Sequence, residues 1–157
     1  MSIFKIFCSK KFQKNVAIYI SEKNSEIIIA PLYQEGINGI IFEQENCIII
    51  PFNSSFEEIG EKVKTQFHLF KIIKNRTLKK YWSAFEASKE KTKVSFEKNY
   101  TRISVSGANE YNIIFNLETN FINLSKLEIH SSISAFCDNY ELGKLIMKIY
   151  NSEIITN

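Results

Sequence analysis

The sequence predicts an α+β fold of two repeated units, each an antiparallel four-stranded sheet followed by a helix, with a short linking helix between them. Three observations predict it. Strand-type alternation precedes a helix-type apolar stripe twice along the 157 residues. Each stripe opens on a helix cap and carries an early glycine. Short matches also recur in the same order in both halves. Glu22-Lys23-Asn24 matches Glu97-Lys98-Asn99, Ile40-Ile41-Phe42 matches Ile113-Ile114-Phe115, and Glu58-Ile59-Gly60 matches Glu141-Leu142-Gly143. Their offsets are 75, 73 and 83 residues, so the second helix follows a longer connection. The repeat spans about residues 15–73 and 92–153 of a single domain, 1–157, a length that fits one domain.

In the first unit, Val16, Ile18 and Ile20 alternate with Ala17, Tyr19 and Ser21, the period of a strand. Glu22 to Ser25 supplies turn chemistry. Ile27 to Tyr33 is a β-branched run in which Pro31 predicts an edge or a bulge. After the turn Gly36-Ile37-Asn38-Gly39, strands over Gly39–Glu43 and Cys47–Phe52 complete a meander of hairpins. Ser55-Phe56-Glu57-Glu58 is a capping box, in which the Ser55 hydroxyl accepts from an early N–H and Glu58 reaches back to the cap. Phe56, Ile59, Val63, Phe67 and Phe70 then form the apolar stripe. Gly60 costs about 1 kcal/mol of helix propensity relative to Ala, which close approach of the helix to the strands would offset.

The second unit follows the same plan. Val94 and Phe96, then Ile103 and Val105, read as strands around a Lys98-Asn99-Tyr100 turn. Tyr111–Leu117 and Phe121–Ile129 extend the sheet, and His130 ends its last strand. Asp138 to Glu141 is a second capping box, followed by the stripe Leu142, Leu145, Ile146, Ile149 and Tyr150. Between the units, Leu78, Tyr81, Trp82 and Phe85 have the spacing of a short helix.

Composition excludes several classes. With 45% hydrophobic residues, the chain can build a core without staples. A net charge of +3 from 20 basic and 17 acidic residues is too balanced to imply a nucleic-acid partner. Cys8, Cys47 and Cys137 are odd in number and far apart, which argues against disulfides and structural zinc and for a reducing, cytoplasmic setting. Lys5 interrupts an N-terminal apolar run already too short for a signal peptide. No stretch approaches the roughly 18 apolar residues of a membrane span.

Enzyme chemistry is not assembled by the sequence. His68 and His130 are the only histidines, and neither has a His or Cys at ligand spacing. Cys47 and Cys137 lie in apolar surroundings that suit inert packing groups. No phosphate-binding glycine loop or nucleophile elbow occurs. Glu43 and Glu45 share one face at a strand end, where a solvated rim competes with a functional role. Lys71, Lys74, Arg76, Lys79 and Lys80 could contact phosphates beside a stacking Tyr81 and Trp82. The competing reading is a solvated basic face with Trp82 and Phe85 packed inward.

The segment Tyr81-Trp82-Ser83-Ala84-Phe85-Glu86-Ala87-Ser88, the following Lys93-Val94-Ser95-Phe96, and Tyr140-Glu141-Leu142-Gly143 together resemble a family of immunity proteins from bacterial contact-dependent growth inhibition systems. The resemblance implies a Whirly-like fold and a cytoplasmic inhibitor without catalysis, metal or cofactor. Its implied partner is the C-terminal toxin domain, often a nuclease, of a cognate effector. An inhibitor of a basic, phosphate-binding cleft needs carboxylates and aromatics at loops and helix starts. On that criterion the toxin-binding candidates are Glu43, Glu45, Glu57, Glu118, Asp138 and Tyr140. The alternative is a single-stranded nucleic-acid-binding module of the same fold. The Lys-Gly-Lys-Ala-Ala-Leu signature of Whirly nucleic-acid binders is absent, which makes nucleic acid the weaker partner.

Overall fold

The computed structural model describes residues 14–36, 39–73, 82–118 and 128–154. In chain order the elements are β1 (Asn15–Ser21), β2 (Glu26–Glu35), β3 (Ile41–Glu43), β4 (Ile48–Pro51), α1 (Phe56–His68), β5 (Lys71–Ile73), α2 (Ser83–Ala87), α3 (Lys93–Asn99), β6 (Thr101–Gly107), β7 (Asn112–Glu118), β8 (Glu128–Ser134) and α4 (Asn139–Ile154). The fold is α+β. The strands make one sheet in the order β3-β2-β1-β6-β7-β8, with β4 and β5 also paired to β2. All pairings are antiparallel except that of β5 with β2. The two halves meet where β1 pairs β6, with Ile18 opposite Ile103, so they share one sheet.

Strand β1 reads as an unbroken apolar run because the sheet is covered on both faces there. Val16, Ile18 and Ile20 join Ile27, Ile29, Ile103, Val105 and Phe115 in a core closed by Ile59, Val63 and Phe67 of α1 and Leu142 and Ile146 of α4. Ala17, Tyr19, Ile28 and Ala30 point the other way, under Ala84, Phe96 and Tyr100. The β1–β2 turn falls where the sequence places it, with Ser25 at φ 54 and its N–H donating to the Glu22 carbonyl at 3.0 Å.

Pro31 does not mark an edge. It lies inside β2, between the residues that pair with β4, Glu26–Ile29, and those that pair with β3, Leu32–Gln34. Its missing N–H falls where one set of partners gives way to the next. Its carbonyl accepts from the Gln44 N–H at 2.7 Å.

The segment containing Val94 and Phe96 is a helix, not a strand. The Thr92 hydroxyl caps α3 by accepting from the Ser95 N–H at 3.1 Å. Phe96 is buried while Val94 is 75% exposed. A strand would turn both side chains to one face, whereas a helix separates them. Two apolar residues at i and i+2 are too few to fix the period. Glu97-Lys98-Asn99 therefore closes a helix, while Glu22-Lys23-Asn24 makes a hairpin turn. The linking helix covers Ser83–Ala87; Leu78 and Tyr81 lie outside the described residues. Phe70 falls beyond the end of α1 and packs on the opposite face from the rest of its stripe. Strand β8 runs on to Ser134, so His130 sits within it.

The early glycines meet the opposite helix rather than the strands. A Cβ on Gly60 would run into the backbone of Asn139, the first residue of α4. A Cβ on Gly143 would run into the backbone of Phe56, the first residue of α1. Each helix thus receives the start of the other against a bare backbone, and their first turns lie side by side. Among the described residues no helix is long and apolar enough to cross a membrane.

Candidate protein-binding surface

The helix starts are built as their sequences require. Ser55 is extended, at φ −63 and ψ 152, and its Oγ accepts from the Glu58 N–H at 3.1 Å. Asp138 Oδ1 accepts from the Glu141 N–H at 2.7 Å. Among the described residues, neither Glu58 nor Glu141 returns a bond to its cap, so the capping is one-sided at both helices and these carboxylates keep their acceptor capacity.

The reciprocal glycines bring these two starts together. The rings of Phe56 and Tyr140 meet edge to face with centroids 5.6 Å apart. Lys144 Nζ lies 5.6 Å from the Tyr140 ring centre. Alongside, the Lys64 ammonium donates to the Cys137 carbonyl at 2.5 Å and ties α1 to the turn that enters α4. The same turn carries Phe136, whose ring lies 6.1 Å from that of Tyr111. These four rings are unusually open: Phe136 is 76% exposed, Tyr111 61%, Tyr140 48% and Phe56 37%. Glu57, Asp138 and Glu141, at or next to the same helix starts, are exposed.

Three of the six candidates, Glu57, Asp138 and Tyr140, therefore fall on one surface. The other three do not join it. Glu45 is exposed on the loop between β3 and β4. Glu118 closes β7 opposite Glu128, and its side chain lies outside the described residues. Glu43 is neither a free candidate nor a solvated rim residue. Its carboxylate accepts from the Tyr19 hydroxyl at 2.5 Å, the Ala84 N–H at 2.8 Å and the Ser83 hydroxyl at 3.4 Å. The Ala84 N–H belongs to the first turn of α2, so Glu43 caps that helix from another strand. Burial, then the Glu43 charge, hold the Tyr19 phenol well above its usual range, so it stays a neutral donor.

Beside this junction a cleft of about 450 Å³ is lined by Leu32, Phe42, Glu43, Trp82, Arg102 and Asn116 among others. Arg102 lies 6.0 Å from the Tyr19 ring centre. Trp82 and Phe85 pack on Phe96, at 5.2 and 5.8 Å between ring centres, which is the inward arrangement. Of the basic run, Lys71 is exposed on β5, and Lys74, Arg76, Lys79 and Lys80 lie outside the described residues.

The remaining reactive groups are dispersed. His68 Nδ1 lies 2.7 Å from Lys14 Nζ, and partial burial with the Lys14 and Lys64 charges pulls its pKa down. His130 Nδ1 lies 2.6 Å from Asn116 Oδ1. Burial pushes the Cys47 thiol up to about 11 and also raises that of Cys137, so both remain protonated near neutrality. Among the described residues no group of three or more His, Cys, Asp or Glu side chains could hold a metal ion. Phe136 and Tyr111 are exposed rings that the sequence does not single out, and Phe56 belongs to the predicted core stripe although it is 37% exposed. The usable signal is an apolar Ala135-Phe136 pair one residue before the Asp138 helix cap.

No protein-family model matches the chain. No curated protein matches it either. Among solved structures it is similar to a protein of unknown function from Neisseria meningitidis, with a TM-score of 0.66 and 13% identity over 92% of this chain and 94% of that one. It is also similar to a chain of the CdiA-CT/CdiI toxin and immunity complex from Yersinia pseudotuberculosis. That match has a TM-score of 0.58 and 11% identity over 85% of this chain and 92% of that one. At these identities the likeness is one of fold. The fold is thus one also found in a toxin and immunity complex.

Proposed function

We propose that this chain is an immunity protein. It binds the toxic C-terminal domain, a nuclease, of a cognate contact-dependent growth inhibition effector in the cytoplasm, and it neutralises that domain by occlusion, without catalysis or a cofactor. The observation that carries the reading is the fold similarity, nearly end to end, to a chain of a toxin and immunity complex. The resemblance of the Trp82 and Tyr140 segments to immunity proteins supports reading the chain as the inhibitor of such a pair. The same reading takes the two halves as copies of one unit within a single domain. The reciprocal seating of Gly60 and Gly143 supports it.

Neutralisation by binding asks for exposed anchors and complementary charge rather than a reacting group. The open rings and carboxylates at the α1–α4 crossing meet that demand. The test is co-expression with the toxin domain encoded beside this chain. The expected result is a complex that survives purification and abolishes the domain's nuclease activity. Absence of a complex at micromolar concentration sinks the proposal. Salt-sensitive binding of a labelled single-stranded oligonucleotide in its place would favour a nucleic-acid-binding module.

A further inference from the structure

We infer that the toxin is gripped at the α1–α4 crossing, by an aromatic strip edged with carboxylates, and that the surface it presents there is basic. The inference rests on the immunity reading and adds the place and the chemistry of the contact.

The aromatic part comes first. Tyr111 and Phe136 form one ring pair, and Phe56 and Tyr140 form another. Residues 136–140 join them through the cap of α4. Monomer surfaces hold scattered apolar residues, but two open ring pairs flanking one helix cap are a grouping that marks an interaction site. Rings of this kind are the usual anchors of protein interfaces, because they cover a large area with few rotatable bonds.

Charge selects the partner. Over residues 56–64 and 138–146, which hold the start of α1 and the cap and start of α4, the carboxylates are Glu57, Glu58, Glu61, Asp138 and Glu141, and the ammonium groups are Lys62, Lys64 and Lys144. Five negative and three positive charges leave −2 here on a chain of +3. All three cations are engaged locally: Lys62 pairs with Glu61 at 3.2 Å, Lys64 with the Cys137 carbonyl, and Lys144 lies over Tyr140. Glu57, Asp138 and Glu141 keep exposed oxygens. This local inversion of sign favours a partner rich in Lys and Arg, the composition of a nuclease's phosphate-binding cleft. The inhibitor would then occupy the path of the nucleic-acid backbone.

The experiment is calorimetric titration of the neighbouring toxin domain with the wild-type chain and with Phe136→Ala, Tyr140→Ala, the double variant Glu57→Gln/Asp138→Asn, and Val94→Ser on the far face. Asn preserves the α4 cap, and Phe136 is too exposed for its loss to unfold the chain. Phe136→Ala and Tyr140→Ala are expected to weaken binding at least about tenfold each. The carboxylate double variant is expected to weaken binding severalfold at low salt and to flatten its salt dependence, while Val94→Ser leaves the affinity unchanged. Wild-type binding with all crossing variants within about twofold of it overturns the assigned surface and leaves the immunity function standing. No wild-type binding overturns both.

Discussion

The α1–α4 crossing and the β3–α2 junction solve one problem in opposite ways. Both join elements far apart in sequence. At the crossing, Gly60 and Gly143 remove side chains so that two backbones touch, and the acidic residues stay exposed. At the junction, a side chain does the joining: Glu43 takes bonds from Tyr19, Ser83 and Ala84. A carboxylate near a helix start is therefore not one kind of feature. Asp138 holds one backbone N–H of its own helix and remains open to a partner. Glu43 spans two elements and has little left to offer.

The contrast is most strongly tested by refilling the glycine contact. Gly143→Ala places a Cβ against the Phe56 backbone and should destabilise the protein by about 3 kcal/mol, despite a helix-propensity gain of about 1 kcal/mol. Gly60→Ala should cost a similar amount through Asn139. The pair should cost less than the sum, because helices already pushed apart no longer crowd the second site. Urea denaturation of the two single variants and the double variant measures this. Strict additivity would mean that the two glycines do not share one contact.

Next in size is Glu43→Ala, which strands the Tyr19 hydroxyl and the Ala84 N–H, while the Ser83 hydroxyl keeps its 2.6 Å bond to the Gln44 carbonyl. It should cost about 2–3 kcal/mol, whereas Glu45→Ala, two residues along, should stay within about 0.5 kcal/mol of wild type. Equal effects at both positions would return Glu43 to the solvated rim.

A smaller effect comes from Glu90, which accepts from Asn24, Asn99 and Ser95 at 2.7, 2.7 and 2.5 Å. These donors lower its pKa from 4.5 to about 2. Because the folded pKa is depressed, its contribution is fully present above about pH 4.5 and disappears as pH falls toward 2. Glu90→Gln should therefore be less stable than wild type near neutrality and converge on it in acid. A stability gap that does not change with pH contradicts this. Smallest of all, Phe136→Ala should leave the melting temperature almost unchanged, since its ring is mostly in solvent.

The legible parts of the fold are those fixed by local chemistry. The caps at Ser55 and Asp138, the turn at Ser25 and the stripes of α1 and α4 depend on neighbours within four residues. The early glycines could be recognised as a pair, but their true neighbour was each other's helix, which no local pattern encodes. Strand-like Val94 and Phe96 misled because a two-residue alternation fits both periods, and the Thr92 cap decided the matter. Of the site, Glu57, Asp138 and Tyr140 were accessible from their places at helix starts. Glu43 could not be read, because its donors lie 24, 40 and 41 residues away. Phe136 was missed because exposure follows from tertiary packing.

Whether the partner is a toxin is decided by one titration. The toxin domain encoded beside this chain, assayed on nucleic acid with increasing amounts of this protein, should lose its nuclease activity once this protein is in excess over a dissociation constant below about 1 μM. Full nuclease activity in the presence of excess protein, with no heat of binding at micromolar concentration, would contradict the account.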